Sequence, residues 1–275
     1  MWSVLSKGRK IFFSPNKNLV EYNIKRFIGS TLRFYKLDLS DDTITSNRIL
    51  YWNLSNTESY SGTETVFDLE ENSNGTIVNS PNSGSTGCGT YLDFNGTSQY
   101  IYTNTSLSPL FEGVSPKKSE VTSIFMWIYP KGDGVIVSEV GYQNSLSGWH
   151  TSIIEMVSGR LKFGLWNGTA NSIVTSSIPT PLNNWYYVGM TYDGSTLTAY
   201  IDGVSVGSIT FDRISPYNNV HGLFYLLGSQ DVTNMGNGGF GNYRIGSFEV
   251  YTTSLSPTQI NQNYTNSYKN YICND

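Results

Sequence analysis

Asp68, Asn72 and Asn74 offer hard carboxylate and amide oxygens at short spacing, the ligand type that Ca²⁺ takes. The same residues can instead form a turn whose Asx side chains bind their own backbone. Glu70 and Glu71 beside Asp68 raise a second chemistry, glycoside hydrolysis by a proton donor and a nucleophile. A strand built for that would carry acids at alternate positions. Here Asn72-Ser73-Asn74-Gly75 follows directly and reads as a turn. The long strands expected at Val121 to Tyr129 and Arg160 to Trp166 hold no acid. No nucleophile-elbow pattern supports a Ser-His-Asp arrangement. No Gly-rich loop leads into a helix to cradle phosphate. Two histidines, His150 and His221, leave little for a His-based zinc site. The chain is therefore read as non-enzymatic, with no catalytic residue and Ca²⁺ as the one cofactor to test.

The elements that would position these residues are strands. The 275 residues are 38% hydrophobic but only 14% charged, with 20 Tyr and 27 Gly. That composition suits many strands joined by polar turns. Tyr91 to Phe94 and Gln99 to Tyr102 flank Asn95-Gly96, a tight-hairpin signal. Val121 to Tyr129 sets Ile124, Met126 and Ile128 on one face and Phe125, Trp127 and Tyr129 on the other, so both faces should be covered. Val157-Ser158-Gly159 predicts a hairpin between His150–Met156 and Arg160–Trp166. Asp193-Gly194 predicts another between Trp185–Tyr192 and Thr196–Ile201, and Asp202-Gly203 leads into Val204–Thr210. Residues 170–182 and 236–242 read as surface loops. Ser256-Pro257-Thr258-Gln259 is a capping box with Pro at the first helical position, and it predicts a helix from Pro257 to Tyr268. Cys88 and Cys273 either pair, if the domain ends meet in space, or stay free, the state expected of a cytoplasmic product.

Four segments in order carry a family resemblance. They are Ser59 to Thr63 with Val66 to Leu69 and Asn72 to Ile77; Tyr91 to Gly96 with Gln99 to Ile101; Asn184 to Gly194 with Ala199 to Gly203; and Arg244 to Tyr251 with Leu255 to Ile260. Over roughly residues 48–268 the chain resembles the concanavalin A-like lectin/glucanase superfamily, in its laminin G-like branch. The resemblance implies an all-β fold, a two-sheet antiparallel jelly-roll sandwich. It also implies rim loops that often bind Ca²⁺, although relatives often carry an acid in the last strand where this chain has Ser247. Sugar binding is the family's common role. Trp149, Trp166 and Tyr217, with Asn167, Asn171 and Asn218 near them in sequence, are the candidates for stacking on sugar faces and binding hydroxyls.

Charge is split along the chain. Residues 1–36 carry eight basic residues and one acid, a net +7; the total of −4 leaves −11 on the remainder. Such a split suggests a tether. Residues 1–46 are therefore expected to be a basic, extended anchoring arm ahead of a jelly roll at 47–275. Its candidate contacts are Lys7, Arg9, Lys10, Phe12, Phe13, Lys25 and Arg26. The order Ser59-Tyr60-Ser61-Gly62-Thr63, then Asp68-Leu69 to Thr76, resembles copies found in tailed-phage structural proteins. That resemblance implies a virion protein, a capsid decoration or tail-fibre component made in a host cytoplasm and assembled with capsid or tail subunits. The alternative is a lectin module for host-surface or extracellular glycans. Neither a signal peptide nor a membrane-spanning run is read in the chain, and nucleic-acid binding ranks lower.

Overall fold

The computed structural model describes residues 3–6, 9–12, 44–111, 121–143, 145–213, 222–230 and 239–273. The chain divides into two compact units, Met1–Asp42 and Thr43–Asp275. In the first, β1 (Ser3–Ser6) pairs antiparallel with β2 (Arg9–Phe12), so Arg9, Lys10 and Phe12 lie on a hairpin strand where an extended arm is expected. Lys7, Phe13, Lys25 and Arg26 lie outside the described residues.

The second unit begins with β3 (Arg48–Asn53), β4 (Thr65–Val66), β5 (Gly75–Val78), β6 (Asn82–Ser85), β7 (Thr90–Asp93) and β8 (Tyr100–Thr103). Next come β9 (Thr122–Pro130), β10 (Gly134–Tyr142), β11 (Ser145–Val157), β12 (Arg160–Trp166) and β13 (Asn171–Thr175). It closes with β14 (Tyr186–Tyr192), β15 (Thr196–Ile201), β16 (Val204–Thr210), β17 (Phe224–Leu227), β18 (Ser229–Gln230), β19 (Gly239–Phe240), β20 (Tyr243–Tyr251) and one helix, α1 (Pro257–Tyr268).

Two antiparallel sheets form the sandwich. One runs β13-β12-β11-β10-β17-β8-β5-β4; the other runs β16-β15-β14-β9-β20-β7-β6, with β3 also paired to β20. Between them Ile124, Met126, Ile128, Val188 and Phe248 meet Ile101, Val137, Phe163 and Leu227 in one continuous core. Alternation along β9 predicts a second covered face, and the structure supplies the cover. Phe125 and Trp127 point away from the core into a separate cluster with Tyr187, Tyr251, Ile260 and Tyr271. Helix α1 and the segment after it lie over that face. The helix starts where its capping box predicts: the Gln259 amide donates to Ser256 Oγ at 3.3 Å, and the Ser256 amide donates to Gln259 Oε1 at 2.9 Å.

Three expectations are corrected. Asn95-Gly96 does not close a hairpin, because β7 belongs to one sheet and β8 to the other. Asn95 Oδ1 accepts from the amides of Thr97 and Ser98, so the dipeptide forms an Asx turn that carries the chain across the sandwich. Within the loop expected at 170–182, Asn171–Thr175 is a strand, held on the sheet edge by pairing with β12. The free-thiol reading also fails: Cys88 and Cys273 are joined by a disulfide with Cα atoms 5.9 Å apart. Sequence separation hides that proximity, which arises because the segment after α1 returns to the β6–β7 turn. Gly89 makes the approach possible, since a Cβ there would sit 2.0 Å from the Asn270 carbonyl oxygen. The hairpin turns at Ser158-Gly159 and Asp202-Gly203 follow expectation, with all four residues at positive φ.

Candidate functional site

Asp68, Glu249 and Glu139 each hold bonds within the scaffold. Asp68 Oδ1 accepts from the amides of Tyr51 and Glu70, and Oδ2 accepts from those of Asn72 and Ser73. Asn74 Oδ1 accepts from the Asp68 amide, and Asn72 Nδ2 donates to the Ile49 carbonyl. The oxygens of Asp68 and Asn74 thus organise an Asx turn that ties β3 to the next loop. A shallow hollow of about 420 Å³ lies over it, lined by Glu58, Phe67, Asp68, Leu69, Glu71 and Asn74. Among the described residues no three His, Cys, Asp or Glu side chains converge.

The acid of the last strand is Glu249, two residues beyond Ser247, and it is buried beneath α1. Tyr187 donates to its Oε1 and Tyr251 to its Oε2, while Arg48 Nη1 lies 3.8 Å from Oε2. Burial pushes the Glu249 carboxyl above the usual range, and it pushes the Tyr187 hydroxyl up as well. Asn263 on the helix donates to the Tyr251 hydroxyl at 2.9 Å and accepts from the Ile44 amide at 2.7 Å. This network fastens the entering chain, the sheet and α1 together. Glu139 is spent similarly, in a buried pair with Arg213 at 2.9 Å.

The accessible chemistry lies further along the same outer face. Register sets Arg244 of β20 directly between Tyr129 of β9 and Asp93 of β7. The guanidinium carbon is 4.7 Å from the Tyr91 ring centroid and 4.6 Å from that of Tyr129, so two rings grip it. Arg244 Nε is 3.1 Å from Asp93 Oδ2. Lys131 Nζ bonds the other Asp93 oxygen and donates to the Phe94 carbonyl at 3.0 Å. Trp185, just ahead of β14, packs against Tyr129, Tyr91 and Tyr271 with centroids 5.6, 5.8 and 5.1 Å apart. Tyr91, Tyr129, Trp185, Arg244 and Tyr271 line a hollow of about 480 Å³, rimmed by Asn183, Asn184, Ser85, Thr86 and the Cys88–Cys273 bridge through Cys273. Trp185 and Arg244 are half-buried, and Asn183 and Asn184 are exposed. Partly exposed rings beside amides and a fixed cation can stack on a sugar face while binding its hydroxyls.

The sugar candidates read from sequence fall elsewhere. Trp166 and Asn167 sit where β12 turns into β13; Asn167 Oδ1 accepts from the Thr169 and Ala170 amides and so forms the turn. Asn171 Oδ1 accepts from Thr151 Oγ1 at 2.9 Å, which spends that oxygen on the sheet. Trp149 lies on β11, where the backbone alone is described, and Tyr217 and Asn218 lie outside the described residues. Sequence reading missed Tyr91, Tyr129, Trp185 and Arg244 as a group. Their one available signal was outward alternation on strands whose neighbours the sequence does not give.

The fold is that of a lectin-like jelly roll. The family model described as the concanavalin A-like lectin/glucanases superfamily, of laminin G type, matches residues 95–261, more than half of the chain, and the chain belongs to that superfamily. Among solved structures it is similar to botulinum neurotoxin type C, from work on the toxin's interaction with two ganglioside molecules. The identity there is 15% and the TM-score 0.56, over 80% of this chain and 51% of that one. It is also similar to the binding domain of botulinum neurotoxin DC in complex with rat synaptotagmin II, at 16% identity, TM-score 0.55, and 81% and 52% coverage. The binding domain of Paraclostridial Mosquitocidal Protein 1 gives 16% identity, TM-score 0.55, and 81% and 52% coverage. The chain spans about half the length of these neighbours, and the likeness is one of fold. No curated protein matches the sequence.

Proposed function

We propose that this protein is a non-catalytic recognition module that binds glycans in the hollow formed by Trp185, Tyr129, Tyr91 and Arg244. The carrying observation is the half-buried Trp185 ring beside exposed Asn183 and Asn184, above a floor of buried Tyr271. The superfamily's lectin-type fold supports a binding role, and the structural engagement of Asp68, Glu139 and Glu249 is consistent with an absence of catalysis. Two of the neighbours are binding domains, and the third comes from work on a toxin's interaction with two ganglioside molecules, which agrees with receptor or glycan recognition. Displayed on a glycan array, the full chain is expected to bind a subset of glycans, with affinity in the weak range typical of one shallow site. Trp185→Ala is expected to abolish that binding. Silence of the intact chain across the array, or full binding by the variant, refutes this reading.

The charge split favours a second, compatible reading in which the module is displayed on a tailed-phage virion. The +7 segment with its Phe12 and Phe13 would dock on capsid or tail subunits and leave the jelly roll outside. A chain lacking residues 1–46 is then expected to be lost from purified particles. Normal occupancy without those residues would end the tether idea.

A further inference from the structure

We infer that the outer-face hollow selects a carboxylate-bearing sugar, a uronic or similar acidic residue, over a neutral one; this rests on the glycan-binding reading above. Arg244 carries the argument. Among the described residues that line the hollow, it alone is charged. Asp93 occupies its Nε, and two tyrosine rings hold its plane, so the side chain is fixed before a ligand arrives. Among the described residues its two terminal nitrogens have no hydrogen-bond partner, and the side chain is 29% exposed. The result is an oriented guanidinium with its outer fork open, a geometry that matches a carboxylate by two parallel hydrogen bonds.

Charge accounting agrees. Lys131 and Arg244 together outweigh Asp93, so the cluster keeps one positive charge, and Lys131 is already engaged by Asp93 and the Phe94 carbonyl. The positive charge that a ligand meets therefore belongs to Arg244. It lies in a body whose residues 37–275 sum to −11, so the hollow is a local exception to the charge of its domain. Trp185 packs against Tyr129 on one side of this cation, and Asn184 stands at the rim. A pyranose stacked on the indole would present its ring carboxylate toward the Arg244 fork and its hydroxyls toward Asn184 Oδ1, since Asn184 Nδ2 donates to the Leu182 carbonyl at 3.1 Å. Preorganisation by Asp93, Tyr91 and Tyr129 limits the ordering cost that a free arginine would incur.

The test uses the full chain and three immobilised probes: a β-glucuronide, the matching β-glucoside and the 6-sulfated β-glucoside. The glucuronide is expected to bind about tenfold more tightly than the glucoside, roughly the contribution of one charge-assisted fork. Arg244→Lys keeps the charge but loses the fork, and it should bring the glucuronide down to the level of the glucoside. Equal binding of acid and neutral sugar, still abolished by Trp185→Ala, overturns acid selectivity and leaves the glycan reading standing. Sulfate binding as strong as carboxylate binding overturns the fork and leaves a nonspecific anion site. No binding of any probe, with the wider array also silent, overturns both. A melting temperature within about 2 °C of the parent confirms that Arg244→Lys is folded.

Discussion

Replacing Trp127 by alanine lowers the stability of the jelly-roll unit by about 4 kcal/mol, near the upper range for a buried aromatic. Trp127 points away from the main core, so the loss falls on the second cluster. Its ring meets Tyr271 at 4.9 Å, Tyr187 at 5.6 Å, Tyr264 at 5.7 Å and Tyr268 at 6.3 Å between centroids. Its indole nitrogen donates to Ser267 Oγ at 2.7 Å, which pins the last turn of α1. Alanine removes both the filling and the pin, and the cavity cannot collapse because sheet and helix are rigid on either side. The melting temperature should fall by about 10 °C, with hydrogen-exchange protection in 257–273 lost first. A fall below about 1 kcal/mol would mean that α1 is not packed on this face.

Removing the Cys88–Cys273 bridge is the second large effect. The bonded residues are 185 apart in sequence, and in the chain-entropy model so long a loop is worth up to roughly 5 kcal/mol. The bridge lies close behind α1, so part of the terminal segment can loosen without global unfolding. About 3 kcal/mol is therefore expected for Cys88→Ser/Cys273→Ser. A functional consequence goes with it. Tyr271, Ile272 and Cys273 all line the outer-face hollow, and Tyr271 packs on Trp185. Reduction or double substitution should loosen that wall and weaken glycan binding by roughly tenfold, a loss of about 1.4 kcal/mol. Calorimetry with and without reductant, paired with binding, checks both parts. An unchanged melt together with unchanged binding would show that the bridge holds neither fold nor site.

Much of the scaffold is legible in the chain because its causes are local. The two apolar faces of β9 demand two covers, and the Ser256 capping box names the residue where α1, the second cover, begins. Positive-φ pairs at Ser158-Gly159 and Asp202-Gly203 fix two turns. What failed to show depends on which strands become neighbours. Asn95-Gly96 has hairpin chemistry, yet β7 and β8 part into different sheets because each buries its apolar residues against the opposite layer. Asn171–Thr175 lies among loop-like residues and becomes a strand through the free edge of β12. The site is the extreme case. Tyr91, Tyr129, Trp185 and Arg244 lie on or beside four strands, and only the order β14-β9-β20-β7 makes them neighbours. Trp166 and Asn167 have suitable side chains in sequence, but the structure spends Asn167 on its own turn.

Recognition at the outer-face hollow is checked by titrating the isotope-labelled full chain with the strongest array glycan and following side-chain NMR signals. The expected result is a shift of the Trp185 indole and Arg244 Nε resonances, with the Asn184 amide moving in parallel and all three saturating at one dissociation constant. Shifts gathered instead at Trp166 and Asn167, or at the Asp68 turn, with Trp185 and Arg244 still, would contradict it.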